Sequence, residues 1–243
     1  MYRNLLIVSF ASLGLVLPAL ASDRDDDLAR IQSATKVFQE IMQAPDQGIP
    51  QKLLEKAKCV AIVPGEEKLA FIFGEKYGKG LATCRTAHGW SAPMFVALGG
   101  GSVGFQIGGS VTDVVMLFMN DHALQSLLSD KFKIGGDATV AAGPVGRNAA
   151  AATDAKLNAE ILSYSRSKGV FAGVSLDGAV VQADKSGDTA MYGADVTRTE
   201  TLDGKVTDPV RARGLGEELT KYSARRSLHL WVTRLEDRRV LAC

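Results

Sequence analysis

The stretch His88-Gly89-Trp90-Ser91-Ala92-Pro93, continued after Met94 to Leu98 by Gly99-Gly100-Gly101-Ser102-Val103-Gly104-Phe105-Gln106-Ile107-Gly108-Gly109-Ser110-Val111-Thr112-Asp113, decides how this chain folds. Gly99, Gly101 and Gly104 fit the dinucleotide-binding spacing G-x-G-x-x-G, while Gly100, Ser102 and Gly104 fit the G-x-S-x-G nucleophile elbow. Both motifs require a helix directly after the glycines. Instead, Val103, Phe105 and Ile107 alternate with Ser102, Gly104, Gln106 and Gly108, the period of a half-buried strand. A strand offers neither helix-terminal amides for a pyrophosphate nor the sharp corner that exposes a serine. Its glycines instead permit close backbone approach or a bulge. At Gly74 to Gly80 the phosphate-loop template also fails, because Lys79 comes one residue late and Gly80 stands where Ser or Thr would hold magnesium.

Working outward, short apolar runs separated by glycine recur at Leu69 to Phe73, Gly80 to Arg85, Trp90 to Leu98, Ser102 to Ile107 and Asp113 to Met119. Such spacing predicts an antiparallel meander or barrel-like sheet. Cys59 to Val63 precedes these strands, and Lys133 to Gly143, Ile161 to Ser165, Gly169 to Leu176 and Ala179 to Ala183 continue them. Helices are expected at Asp25 to Gln43, Pro50 to Lys58 and His122 to Ser129. The first carries Leu28, Ile31, Thr35, Phe38 and Met42 on one stripe with Ile41 beside it, and Asp25-Asp26-Asp27 suits its positive N-terminus. The third is capped by Asn120-Asp121. The alanine-rich stretch Ala149 to Asn158 fits either a helix or a strand of small residues. The fold class is therefore α+β, mainly antiparallel sheet, barrel-like or sandwich, with an N-terminal amphipathic helix and a few short helices.

Residues 1–21 have a basic start at Arg3, an apolar run from Leu5 to Leu17, and Ala19-Leu20-Ala21 before Ser22, the pattern of a secretory signal peptide. Residues 22–220 are read as one domain and residues 221–243 as a basic C-terminal tail. A periplasmic or secreted location follows. The chain has 28 basic and 27 acidic residues, but the tail concentrates Lys221, Arg225, Arg226, Arg234, Arg238 and Arg239. The body is left mildly acidic, which does not suit nucleic-acid binding. Of the three cysteines, Cys59 and Cys84 either pair in an oxidising compartment or lie as two small buried thiols. With no CxxC spacing and only His88, His122 and His229, a zinc site has no pattern to rest on, and no cofactor or metal is expected.

A serine hydrolase built on Ser102 would need an acid and then a histidine downstream. His122 follows almost at once, and His229 lies in the tail. Asp113 and Asp137 read as turn or strand-end acids that bind backbone amides. Lys76, Lys79 and Arg85 surround a glycine-rich hairpin, Lys131 and Lys133 precede another glycine pair, and Arg147, Arg166 and Lys168 lie near short connections. They are either a solvated rim or cations converging on a phosphate head group.

Several segments together carry a family pattern: Ala57-Lys58-Cys59-Val60-Ala61-Ile62-Val63-Pro64; Tyr77-Gly78-Lys79-Gly80 with Arg85; Gly89 to Pro93; Ser102 to Gly108 through Asp113; Ala141 to Arg147; and Ile161 to Gly173. Across about residues 28–195 the chain resembles the SYLF domain family, the lipid-binding domain whose yeast relatives are known for actin binding. The resemblance implies a non-enzymatic membrane-binding domain, with Lys79, Arg85, Arg147, Arg166 and Lys168 as lipid-binding candidates. An exported copy would not meet actin or phosphoinositides in its compartment, so an anionic phospholipid or membrane surface is the expected partner. An envelope protein partner and a structural role are the alternative. The tail departs from the family: Leu228, Trp231, Val232 and Leu235 fall at i, i+3, i+4 and i+7. That spacing suits a membrane-surface helix, in which Trp231 is a further lipid candidate, or a helix packed on the domain.

Overall fold

The computed structural model describes residues 18–44, 48–65, 70–72, 75–100, 112–146, 158–167, 170–207, 209 and 213–223. Among these, strands β1 (Cys59–Val63), β2 (Ala70–Ile72), β3 (Glu75–Thr86), β4 (Gly89–Trp90), β5 (Met94–Gly100), β6 (Thr112–Phe118), β7 (Lys131–Lys133), β8 (Val140–Ala142), β9 (Ile161–Ser167), β10 (Val170–Gly173) and β11 (Ala179–Ala183) build one sheet. Its order is β10-β9-β6-β1-β3-β5-β11-β7, with β2 and β4 paired to β3 and β8 to β9. Only β8 and β9 pair in parallel; the other strand ladders are antiparallel. The α+β class and the barrel-like character are observed, as a sheet curled into a half-barrel.

The helices are α1 (Pro18–Gln43), α2 (Gln51–Lys56), α3 (Asp121–Leu128), α4 (Lys185–Tyr192), α5 (Arg198–Leu202) and α6 (Gly214–Ser223). The strand period of two sorts apolar side chains into two cores. On one face, Val60, Ile62, Leu81, Phe95, Val115, Leu117 and Tyr164 pack against Ile31, Phe38 and Ile41 of α1, Leu54 of α2 and Leu219 of α6. On the other, Cys59, Ala61, Val63, Met94, Val96, Leu98, Met116 and Phe118 close with Leu127 of α3 and Phe132 of β7. Every residue of β1 is buried because the central strand serves both cores.

Three differences from the sequence reading have local causes. First, α1 begins at Pro18 and is continuous across Ala21 and Ser22, because Ala19, Leu20 and Ala21 are strong helix formers. The acidic run therefore lies inside the helix; of the expected stripe, Leu28, Ile31 and Phe38 are buried with Ile41 beside them and Met42 packs half-buried against the core, while Ala34 and Val37 join the buried side and Thr35 is only half-buried. Second, the expected strand Trp90 to Leu98 is split. Pro93 has no N–H to give, and Ser91 turns its hydroxyl into the ladder, accepting from the Cys84 N–H at 3.0 Å. Third, α4, α5 and α6 follow the last expected strand. Asn120 caps α3 as expected, accepting from the Ala123 N–H at 2.8 Å. Ser102 to Ile107, the alanine-rich stretch, and the tail from residue 224 lie outside the described residues.

Candidate functional site

A buried ionic cluster joins α1, β3 and the start of α4. Asp27 and Arg30, three residues apart on α1, pair at 2.9 Å. Arg30 Nη1 also donates to Asp184 Oδ2 at 3.0 Å, and Lys79 Nζ approaches the same oxygen at 3.2 Å. Asp184 is the N-cap of α4. Its other oxygen accepts from the Ser186 hydroxyl at 2.6 Å and the Gly187 N–H at 3.4 Å. The Arg30 guanidinium sits over the Phe95 ring, 5.1 Å from its centroid. One turn into α4, Asp188 Oδ1 accepts from the Phe95 N–H at 2.7 Å, and Oδ2 meets Arg198 at 3.2 Å.

Electrostatics separate these carboxylates. Burial pushes Asp27 up to about 6 against the pull of Arg30, and burial likewise raises Asp188 to about 6 against the Phe95 N–H and Arg198. Burial opposes ionisation of Asp184 too, but the Ser186 hydroxyl, Lys79 and Arg30 hold its carboxyl below the usual range. Beside the cluster opens a cleft of about 270 Å³, lined among others by Asp23, Asp26, Arg30, Lys79, Ser186 and Gly187. Asp23 and Asp26 are exposed at its mouth, whereas Asp27 and Arg30 are buried.

Of the lipid-binding candidates among the described residues, only Lys79 reaches this cleft. Arg85 lies six residues along β3, roughly 20 Å away at strand spacing. Its Nη2 donates to Leu54 O at 2.7 Å and its Nε to Ala57 O at 3.2 Å, with the guanidinium 4.5 Å from the Trp90 ring centroid. Arg85 thus satisfies carbonyls left open at the end of α2. Arg166, on β9, donates to Asp113 Oδ2 at 2.7 Å and also pairs with Glu40 of α1. The three described cations do not converge. Arg147, Lys168 and Trp231 lie outside the described residues.

Asp113 and Asp137 bind backbone amides as expected: Asp113 Oδ1 accepts from the Gly65 N–H at 2.8 Å and Asp137 Oδ2 from the Lys133 N–H at 2.7 Å. Cys59 and Cys84 face each other across β1 and β3 and form a disulfide, buried at the second core. This resolves the alternative between a bond and two thiols. Among the described residues, no group of three His, Cys, Asp or Glu is placed to hold a metal ion, and no helix is long and apolar enough to cross a membrane.

Sequence reasoning missed Arg30, Asp184, Asp188 and Arg198. Asp27 reads in the sequence as part of an acidic run at a helix N-terminus and Arg30 carries no motif, while Arg30 and its partner Asp184 lie 154 residues apart. One signal was available for the last helices: Thr197 and Glu200 form a capping box, legible as T-x-x-E.

Residues 99–222 match the family described as Ysc84, Las17-binding protein actin regulator. The chain is 39% identical over 168 residues to an SH3 domain-containing protein of Schizosaccharomyces pombe, a match covering 68% of this chain and 39% of that protein. It is 32% identical over 199 residues to SH3 domain-containing YSC84-like protein 1 of Homo sapiens, covering 79% and 58%, respectively. Protein YSC84 of Saccharomyces cerevisiae is 35% identical over 171 residues, 69% of this chain and 36% of that protein. The matched region thus spans less than two thirds of each of these relatives.

Proposed function

The chain belongs to the Ysc84 family of Las17-binding actin regulators, also known by its SYLF domain, and we propose that this member is an exported, non-enzymatic protein that binds anionic phospholipid at a membrane surface. The observation that carries the reading is the β9–β10 hairpin. Val170 opens β10 opposite Ser167 and is 66% exposed, the one large apolar side chain so exposed among the described residues. In the sequence it follows Arg166-Ser167-Lys168-Gly169, so a cation stands two positions before an exposed apolar side chain. That combination suits the boundary between head groups and acyl chains.

Export is supported by the signal-like residues 1–21 and by the Cys59–Cys84 disulfide, which is at home in an oxidising compartment. A periplasmic or secreted copy has no actin to regulate. The family's description as Las17-binding favours a second reading, in which the chain contacts an envelope protein.

Flotation with anionic and zwitterionic vesicles at low and high salt tests the lipid reading. Anionic vesicles should retain the protein, less so at high salt, because charges are screened over about 10 Å at 0.1 M ionic strength. Val170→Asp and Lys168→Glu should each reduce retention without changing the unfolding midpoint. Retention of both variants at the parent level would reject the hairpin as the contact. Covalent labelling of Ser102 by a fluorophosphonate would overturn the non-enzymatic reading.

A further inference from the structure

We infer that β10 is an interaction edge, at which a second copy of this chain adds its own β10 antiparallel, about a two-fold axis at Phe171. The inference goes beyond the membrane reading and does not depend on it. β10 and β7 are the two ends of the sheet order. An end strand presents a row of backbone N–H and C=O groups that invites another strand, and folds that must avoid this block the row with charges or local structure. The two ends of this sheet are treated differently.

β7 is blocked. The Ile134 N–H donates to Ala179 O, which fixes the phase of the ladder and turns the backbone of Lys131 and Lys133 outward. There the Lys133 N–H donates to Asp137 Oδ2 at 2.7 Å, Lys133 O accepts from the N–H groups of Gly136 and Asp137, and Lys131 O accepts from the Ser129 hydroxyl. Both lysine side chains are exposed. β10 has no such cover among the described residues. The Val174 N–H donates to Ser163 O, so by the same phase Val170 and Ala172 bond Ser167 and Ser165 of β9, and Phe171 turns its N–H and C=O outward. The strand is held in place, because the buried Phe171 ring stacks on Tyr164 with centroids 5.3 Å apart. Val170 and Ala172 are exposed on the opposite face.

A second β10 fits this edge. With Phe171 opposite Phe171 of the second copy, the two residues exchange both N–H···O bonds. Val170 of each copy then stands opposite Ala172 of the other, in the close pairs where Cα atoms lie about 4.5 Å apart. The strand Val170–Gly173 carries no charge, and Arg166, opposite Phe171 on β9, is neutralised by Asp113 and Glu40. The edge is therefore neutral where it meets itself, whereas β7 paired with itself would set Lys131 against Lys133. Four residues a side bury well under the roughly 1,200 Å² of a stable complex, so the dimer is weak and reversible.

The test is disulfide trapping of the full chain carrying Cys243→Ser, with Val170→Cys and Ala172→Cys made separately. Both positions are exposed, so both variants should fold. Under mild oxidation a mixture of the two should cross-link at least about tenfold faster than either alone. The register puts position 170 directly opposite position 172 of the second copy, whereas 170 with 170 and 172 with 172 are diagonals of about 7 to 8 Å, past disulfide reach. Equal rates in the mixture and in the single variants, or no cross-link, overturns the pairing.

Sedimentation equilibrium is the second measurement. The parent should show a monomer–dimer equilibrium by about millimolar concentration, in keeping with so short an edge. Val170→Lys/Ala172→Lys, which opposes like charges at both close pairs, should weaken it about tenfold or more, and Val170→Lys/Ala172→Glu, which opposes unlike charges, should restore it. A parent that stays monomeric overturns the second copy as the occupant and leaves an extended segment of another protein to be sought. Equal association of the two double variants assigns the dimer to another surface.

Discussion

The guanidinium of Arg30 meets the carboxylate of Asp184 at 3.0 Å, joining the first helix to the N-cap of α4 across 154 residues. Both side chains are about nine-tenths buried, at 10% and 8% exposure, so neither charge can return to water if its partner is removed. Arg30→Met should therefore cost about 3 kcal/mol or more, because Asp27 loses its pair and Asp184 loses one of its two cations, keeping Lys79. Urea unfolding measures this. A loss below about 1 kcal/mol, the range of exposed pairs, would show that the cluster is solvated.

Asp27 and Asp188 give the fold an unusual pH dependence. Burial raises both from the ordinary carboxylate range to about 6, so between about pH 4 and pH 6 the folded chain binds more protons than the unfolded one. Their extra stabilisation is fully present below the unfolded value and is lost as pH rises through about 6. The depressed group Asp184 has the opposite sign, but its contribution is lost only as pH falls below about 4. Asp27→Asn should raise the urea midpoint at pH 7, by roughly 1 to 2 kcal/mol in stability, and shrink the difference between pH 4.5 and pH 7. An unchanged slope would remove Asp27 as its source.

The disulfide ties the two strands at the centre of the sheet. Cys59 and Cys84 are 25 residues apart, and bridging such a loop contributes roughly 3 to 4 kcal/mol on the chain-entropy estimate. The double variant Cys59→Ala/Cys84→Ala should fold with that loss, since both positions are buried and accept small side chains. In the parent, unreduced protein should resist alkylation at both cysteines and accept it after unfolding with reductant. Ready alkylation of both thiols without reductant would show that they do not pair.

How far the sequence could be read depended on whether a signal was local. Short apolar runs bounded by turn residues placed β1, β6, β9 and β11, and Asn120 announced α3, because each depends on neighbours a few residues away. Asp113 and Asp137 were legible as amide-binding acids for the same reason. The cleft was not. Lys79 stood out beside its glycines, yet Arg30, Asp184 and Asp188 acquire their roles only when α4 folds back against α1, a relationship no spacing encodes. Arg85 stands in the sequence as a lipid candidate, and its contacts with the carbonyls of Leu54 and Ala57 were not legible there because such groups are present in every sequence and visible in none.

That contrast gives a last prediction, which separates structural arginines from membrane-facing groups. Arg85 donates to two carbonyls at the end of α2 and covers Trp90, while Arg166 bridges Asp113 and Glu40, tying β9 to β6 and α1. Arg85→Ala should lower stability by about 1 to 3 kcal/mol, the cost of leaving polar groups unsatisfied, and Arg166→Ala should act similarly by freeing a carboxylate. At a temperature where each variant remains folded, vesicle retention should equal that of the parent. Val170→Asp should do the reverse, holding the unfolding midpoint while retention falls, because its side chain is 66% exposed. Thermal unfolding and flotation on the same samples decide the matter. If Arg85→Ala loses vesicle binding while its midpoint is unchanged, the guanidinium faces lipid, and the capping role inferred from its carbonyl contacts is wrong.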